Sequence, residues 1–140
     1  MQLELITLQG IKLNAQVYQA TISTADGEIG VFPDHEPLVT IATPGVIAVR
    51  YKKDDHDDQI EYFAIGGGVV EISAKNIRIL VDEAEHGEDI IEEESQAALQ
   101  RALAMRDEAT DQIELEKVHQ LIDRHQVRLK VAELRRRKRR

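Results

Sequence analysis

Four clusters in this chain hold residue types that could do chemistry. Gly66-Gly67-Gly68 could fold its backbone amides around a phosphate. No Lys-Ser/Thr follows it, however, and the next segment, Val69-Val70-Glu71-Ile72, reads as a strand rather than a helix whose N-terminus could hold an anion. These glycines read as a turn or a close strand approach. Asp34-His35-Glu36 could seed a metal or acid-base site, but none of His56, His86, His119 and His125 stands at a ligand spacing from it. Its flanking residues Pro33 and Pro37 fix a loop shape, so a structural or contact role fits better. The carboxylates Glu83, Glu85, Glu88, Asp89, Glu92, Glu93 and Glu94 could gather a cation, yet they suit the acidic start of a helix and a solvated face. No serine or threonine has an adjacent base and no carboxylate pair is framed as a dyad, so no catalytic residue, metal ligand or cofactor is assigned.

The fourth cluster is Arg135, Arg136, Arg137, Lys138, Arg139 and Arg140. A basic run binds nucleic-acid phosphates or an acidic protein surface equally well, or simply frays in solvent. No aromatic residue follows Phe63, so base stacking is unavailable to it. Residues 127–140 hold eight basic residues against Glu133, a net +7, leaving about −15 on the other 126 for the total of −8. An acidic body with a basic tip suggests that the two meet different surfaces.

The elements that must position these residues divide the chain in two. Up to about residue 85 it reads as short strands rich in β-branched residues: Leu3 to Leu8, Val17 to Ile22, Val46 to Tyr51, Gln59 to Ile65, Val69 to Ile72 and Ile77 to Val81. Turn signals divide them at the spacing of a sandwich or barrel. Between Thr24 and Thr40 turn-forming residues recur every few positions, and Thr43-Pro44-Gly45 reads as a closing turn. Asp54 to Asp58 reads as a hairpin tip. After Gly87 there is no Gly or Pro, and good helix formers dominate. Ala98, Ala102, Met105 and Ala109 form one helical stripe. Leu115, Val118, Ile122, His125, Leu129 and Ala132 form another, at steps of three and four. The pattern predicts helices over 89–107 and 111–138, with Thr110 or Asp111 as the second N-cap. Such thin seams bury little apolar area, so the hairpin should dock marginally.

One domain, or a small domain with an appendage, fits 140 residues that are 42% apolar. No run of about 18 apolar residues exists to span a bilayer. Met1-Gln2-Leu3-Glu4-Leu5 lacks a signal peptide's basic flank, so the chain is expected to stay where it is made. Without cysteine, disulfides and thiolate metal sites are excluded.

Gly27-Glu28-Ile29-Gly30, Pro33-Asp34-His35-Glu36-Pro37-Leu38 and Pro44-Gly45 together closely resemble the signature of the epsilon subunit of F-type ATP synthases. Gly67 to Ile72 is similar to the family's Gly-Gly-x-x-Glu-Val strand, and Ile79 to Glu85 to its Ile-Leu-x-Asp-x-Ala-Glu segment. The resemblance implies a β + α chain: a β-sandwich of about ten strands over 1–87, then an antiparallel two-helix hairpin over 88–140. It implies a non-catalytic rotor subunit of the central stalk that couples proton flow to ATP synthesis. Glu28 would face the c-ring and His35 the gamma subunit. The hairpin would extend to the alpha and beta subunits of the catalytic head and inhibit ATP hydrolysis, with Arg135 to Arg140 as the inhibitory tip. The site would be peripheral, on the cytoplasmic face of a bacterial membrane. One departure matters. Some bacterial members bind ATP through Ile-Asp-x-x-Arg-Ala, and the matching residues here are Ile90-Ile91-Glu92-Glu93-Glu94-Ser95. A carboxylate in place of the arginine would repel triphosphate, so ATP binding is not expected. The alternative is a stand-alone module using the basic tail on nucleic acid.

Overall fold

The computed structural model describes residues 1–138, and Arg139 and Arg140 of the basic tip lie outside the described residues. Nine strands come first: β1 (Gln2–Thr7), β2 (Gly10–Gln16), β3 (Gln19–Thr24), β4 (Gly27–Val31), β5 (Leu38–Arg50), β6 (Glu61–Ile65), β7 (Gly68–Ile72), β8 (Asn76–Val81) and β9 (Ala84–His86). Two helices follow, α1 (Glu92–Glu108) and α2 (Gln112–Lys138).

Burial alternates along β1, β3 and β8, as it must when one face of each strand packs on a core and the other meets solvent. Leu3, Leu5, Ile22, Ile47, Val49, Val70, Ile77 and Ile79 fill that core. One layer runs β2-β1-β8-β7 and ends on the first half of β5 through the Ala42–Gly68 to Leu38–Ile72 pairs. The second half of β5 pairs with β6 from Gly45–Ile65 to Val49–Glu61 and with β3, while β4 and β9 form the outer edges. β5 therefore belongs to both layers. Counted once per layer, its two halves bring nine strands to ten strand segments.

The expected Thr43-Pro44-Gly45 turn is instead the crossover within β5. The β3–β5 register slips between Ile22/Thr24, so Thr43 and Pro44 lie in an irregularity where a missing N–H costs no ladder bond. The chain needs a bend there, not a reversal. Of the glycine run, Gly68 makes the close strand approach, one of the two expected readings: a Cβ there would overlap the Leu80 carbonyl.

The helices begin and end within a few residues of their predicted bounds. Asp111 caps α2, its Oδ1 accepting from the Glu114 amide at 2.8 Å, while Glu114 Oε2 accepts from the Thr110 amide at 3.2 Å. The hairpin is folded. Ala102 of α1 meets Val118 and Ile122 of α2, and farther along α2 Val131 and Ala132 pack with Ala64 and Ile90 against the β6 side of the sandwich. The predicted stripe thus has two partners, α1 at its start and the sheet at its end. No described helix is long and apolar enough to cross a membrane.

Candidate functional site

Three surfaces stand out, two of which carry the residues singled out above. The first is one end of the sandwich. Thr7-Leu8-Gln9-Gly10 and Thr24-Ala25-Asp26-Gly27 build the same hairpin turn. In each, the threonine hydroxyl donates to the glycine carbonyl (3.2 and 2.6 Å) and accepts from the amide two residues on. The glycines take φ of +124° and +105°, the left-handed region that side chains disfavour. The shared Thr-x-x-Gly spacing is a signal from which β2 could have been read. The turns lie at the same end, because Thr24, Ala42, Gly68 and Val81 pair in one row and Ile6 pairs with Leu80 beside it. Leu8 projects there at 91% exposure, and Glu28, exposed on β4, pairs with Ser23 just behind its own turn.

His35 sits at the opposite end. The loop after β4 is tied by the Asp34 amide to the Ala74 carbonyl (2.9 Å), beside the turn between β7 and β8. Asp34 has φ of 68°, and the half-buried His35 donates from Nδ1 to the Glu36 carbonyl at 2.6 Å. The ring closes on its own loop, as expected of a shaped surface. Among the described residues no group of three or more metal-ligating side chains is gathered anywhere.

The second surface is the outer face of the β2-β1-β8-β7-β5 layer. Ile41, Val69, Leu80, Ile6 and Ile11 are consecutive cross-strand partners, one from each strand. Ile41 and Ile11 are each 61% exposed, Val69 39% and Leu80 37%. The adjacent row, Val39, Glu71, Arg78 and Glu4, is mostly charged. A registered apolar stripe with a charged border, on the layer away from the hairpin, is shaped for a partner. The sequence hid it, since its members are spread over five strands.

The third surface joins hairpin to sandwich. A cleft of about 690 Å³ lies between α2 and the β6–β9 side, lined among others by Lys12, Asp82, Glu83, Glu85, Arg124 and Arg128. Its arginines are already paired: Arg124 Nε to Glu83 Oε1 and Arg128 Nε to Glu85 Oε2, both at 2.7 Å. Glu83 and Glu85 thus serve as ion-pair partners of α2, while Glu92, Glu93 and Glu94 dress the first turn of α1 as expected. The described arginines of the basic tip are held as well. Arg135 Nη1 donates to the Gly87 and Ile90 carbonyls, Arg136 pairs with Glu92 at 3.4 Å, and Arg137 with Glu133 at 2.8 Å.

A family model described as the ATP synthase Delta/Epsilon chain β-sandwich domain matches residues 1–87. An ATP synthase epsilon chain from Herpetosiphon aurantiacus is 35% identical over 136 residues, covering 96% of each chain. The chain belongs to the ATP synthase epsilon family. Another epsilon chain, from Rippkaea orientalis, is 32% identical over 94% of this chain and 96% of its own. Among solved structures, a chain of the Euglena gracilis mitochondrial ATP synthase, in its OSCP/F1/c-ring assembly, superposes with a TM-score of 0.77 at 25% identity, covering 94% of this chain and 79% of that one. A chain from the Tetrahymena thermophila mitochondrial ATP synthase central stalk and c-ring shares the fold, with a TM-score of 0.52 at 19% identity over 64% of this chain and 69% of that one. As an epsilon chain it is a stalk subunit and not itself catalytic.

Proposed function

We propose that this epsilon chain couples rotor to catalytic head, docking through its sandwich (1–87) and braking ATP hydrolysis through its hairpin (88–140). The observation that carries the docking is the apolar row Ile41–Val69–Leu80–Ile6–Ile11. A face of that kind costs solvation free energy until covered. The gamma subunit is its occupant in this reading, with the His35 loop a second contact at the far end of the sandwich, and the Euglena relative's assembly with F1 and a c-ring supports it. The Thr-x-x-Gly end, with Leu8 and Glu28, meets the loops of the c-ring. The chain then sits peripherally, on the cytoplasmic face of a bacterial membrane, held by its partners.

Extension of the hairpin along the stalk takes Arg135 to Arg140 to the alpha and beta subunits, where a cationic tip pairs with acidic surface. ATP is not a ligand in this reading. The cleft's arginines are neutralised by Glu83 and Glu85, and Glu94 stands where an arginine would be needed. Calorimetric titration with ATP is expected to give no heat of binding, and a saturable heat would overturn this part.

The deciding experiment adds the chain to a catalytic head that carries gamma and lacks epsilon. The full chain is expected to bind and lower ATP hydrolysis. A Val69→Lys, Leu80→Lys chain should bind at least tenfold more weakly, since two cations must be buried in an apolar contact. A chain with Arg135 to Arg140 replaced by glutamine should bind normally and inhibit less. Failure of the unaltered chain to bind would instead favour the nucleic-acid reading, which a steep salt dependence of RNA affinity would then support.

A further inference from the structure

The arginines of α2 fall on targets that follow one another along a single short stretch of chain. Arg124, Arg128 and Arg135 share a helix face by their spacing of four and seven. Glu83, Glu85 and the carbonyls of Gly87 and Ile90 receive them in the same order. That stretch runs from Glu83 through β9 to the turn after it, the covalent path from sandwich to hairpin. The fit is tight at its centre: Gly87 is buried, and a Cβ there would lie 3.0 Å from the Tyr62 carbonyl and 3.1 Å from Val131 Cγ1. α2 therefore rides directly on the linker's backbone.

The three contacts differ in kind. The Arg124–Glu83 and Arg128–Glu85 pairs join partly exposed side chains, which individually contribute little. Arg135 instead reaches two backbone carbonyls three residues apart, and its Nε is buried without a hydrogen-bond partner. A single Nη1 bridging two carbonyls fixes the curvature of the linker as well as the position of the helix. Both bonds exist only while α2 lies on the sandwich.

We infer that Arg135 is the latch of the folded hairpin, bolting α2 to the linker at Gly87 and Ile90, so that its loss releases the helices. Its role is then opposite in sign to that of the other basic residues at the chain end. The consequence for the synthase rests on the reading above that the extended hairpin is the brake. Replacing Arg135 alone leaves five cations, Arg136 to Arg140, for the extended form. It should strengthen inhibition, whereas neutralising all six weakens it.

Hydrogen exchange on the isolated full chain tests the latch without the synthase. In Arg135→Gln the amides of 84–91 and 127–135 should exchange about tenfold faster, as expected for losing charge-assisted hydrogen bonds, while β1, β3 and β8 keep their protection. Arg137→Gln, whose partner Glu133 lies one turn back on the same helix, should match the unaltered chain. Equal exchange in the two variants overturns the latch. If Arg135→Gln also loosened the sandwich, Arg135→Met, which keeps an apolar stem but has no donor, decides: faster exchange in the same two segments with the sandwich intact upholds the latch, and unaltered exchange overturns it. With head and gamma, stronger inhibition by Arg135→Gln at equal binding supports the latch as control of the brake, and weaker inhibition overturns that control. Failure of every version to bind the head would count against the functional reading and leave the exchange result standing.

Discussion

His125 gives docking of the hairpin an expected pH dependence. It lies on α2 with its Nδ1 buried and without a hydrogen-bond partner. Burial pushes its pKa below the ordinary value of 6.5, Arg128, Arg124 and Arg101 push the same way, and Glu83 opposes them. These neighbours come from α2 itself, from α1 and from the segment before β9. A released His125 takes up its proton near 6.5, while a docked one resists until lower pH. The released form then binds more protons within that window, so docking is weakened as pH falls from about 6.5 towards the lowered value and is fully stable above it. Melting of the helical circular-dichroism signal should shift down between about pH 7.5 and about pH 5.5. His125→Gln should flatten that dependence, and an unchanged slope in the variant would assign the effect elsewhere. Sequence periodicity placed His125 on the seam, because a step of three or four is visible in one dimension. It could not see that Arg135 has backbone carbonyls to reach, since Gly87 and Ile90 come near it only through the fold.

At the scale of elements, what was legible depended on how local the signal was. β8 and β1 alternate cleanly and were read. β2 carries Lys12, Asn14 and Gln16 on an edge with little burial, and was not. β5 was read only in its second half, since Pro44-Gly45 signals a turn and the sheet-to-sheet crossover that accommodates it is a tertiary event. The glycine run was legible as close packing, but not which of the three is essential. The contacts decide that. A Cβ on Gly68 would overlap the Leu80 carbonyl and lie 2.8 Å from Val81 Cα, both backbone, whereas one on Gly67 would meet only the Ala42 carbonyl, at an ordinary 3.6 Å. Gly68→Ala should therefore destabilise the sandwich by about 1–3 kcal/mol or more, as overpacking does, and Gly67→Ala by much less. Denaturant midpoints of the two variants compare them directly, and equal midpoints would show that β7 and β8 can part without loss.

Over the whole molecule, charge decides how firmly the two parts hold together. The last 14 residues carry +7 against about −15 on the rest, and in the folded form α2 lays part of that positive charge on Glu85 and Glu92 and sets Arg124 on Glu83. Each of these pairs is partly exposed, so each contributes at most about 1 kcal/mol, and less as salt screens it. Apolar help is thin, resting on Ala102, Val118 and Ile122 between the helices and on Ala64, Ile90, Val131 and Ala132 at the sandwich. The sandwich has the opposite constitution, a continuous core of fully buried Leu, Ile and Val that salt does not weaken. Raising sodium chloride from about 0.05 M to about 0.5 M shortens the screening length from about 14 Å to about 4 Å and should release the hairpin selectively. Small-angle scattering would register this as a larger radius of gyration, with exchange protection of β1 and β8 unchanged. An unaltered radius would mean that apolar packing and the Arg135 bonds dominate the docking, and that the charge asymmetry serves only the extended state.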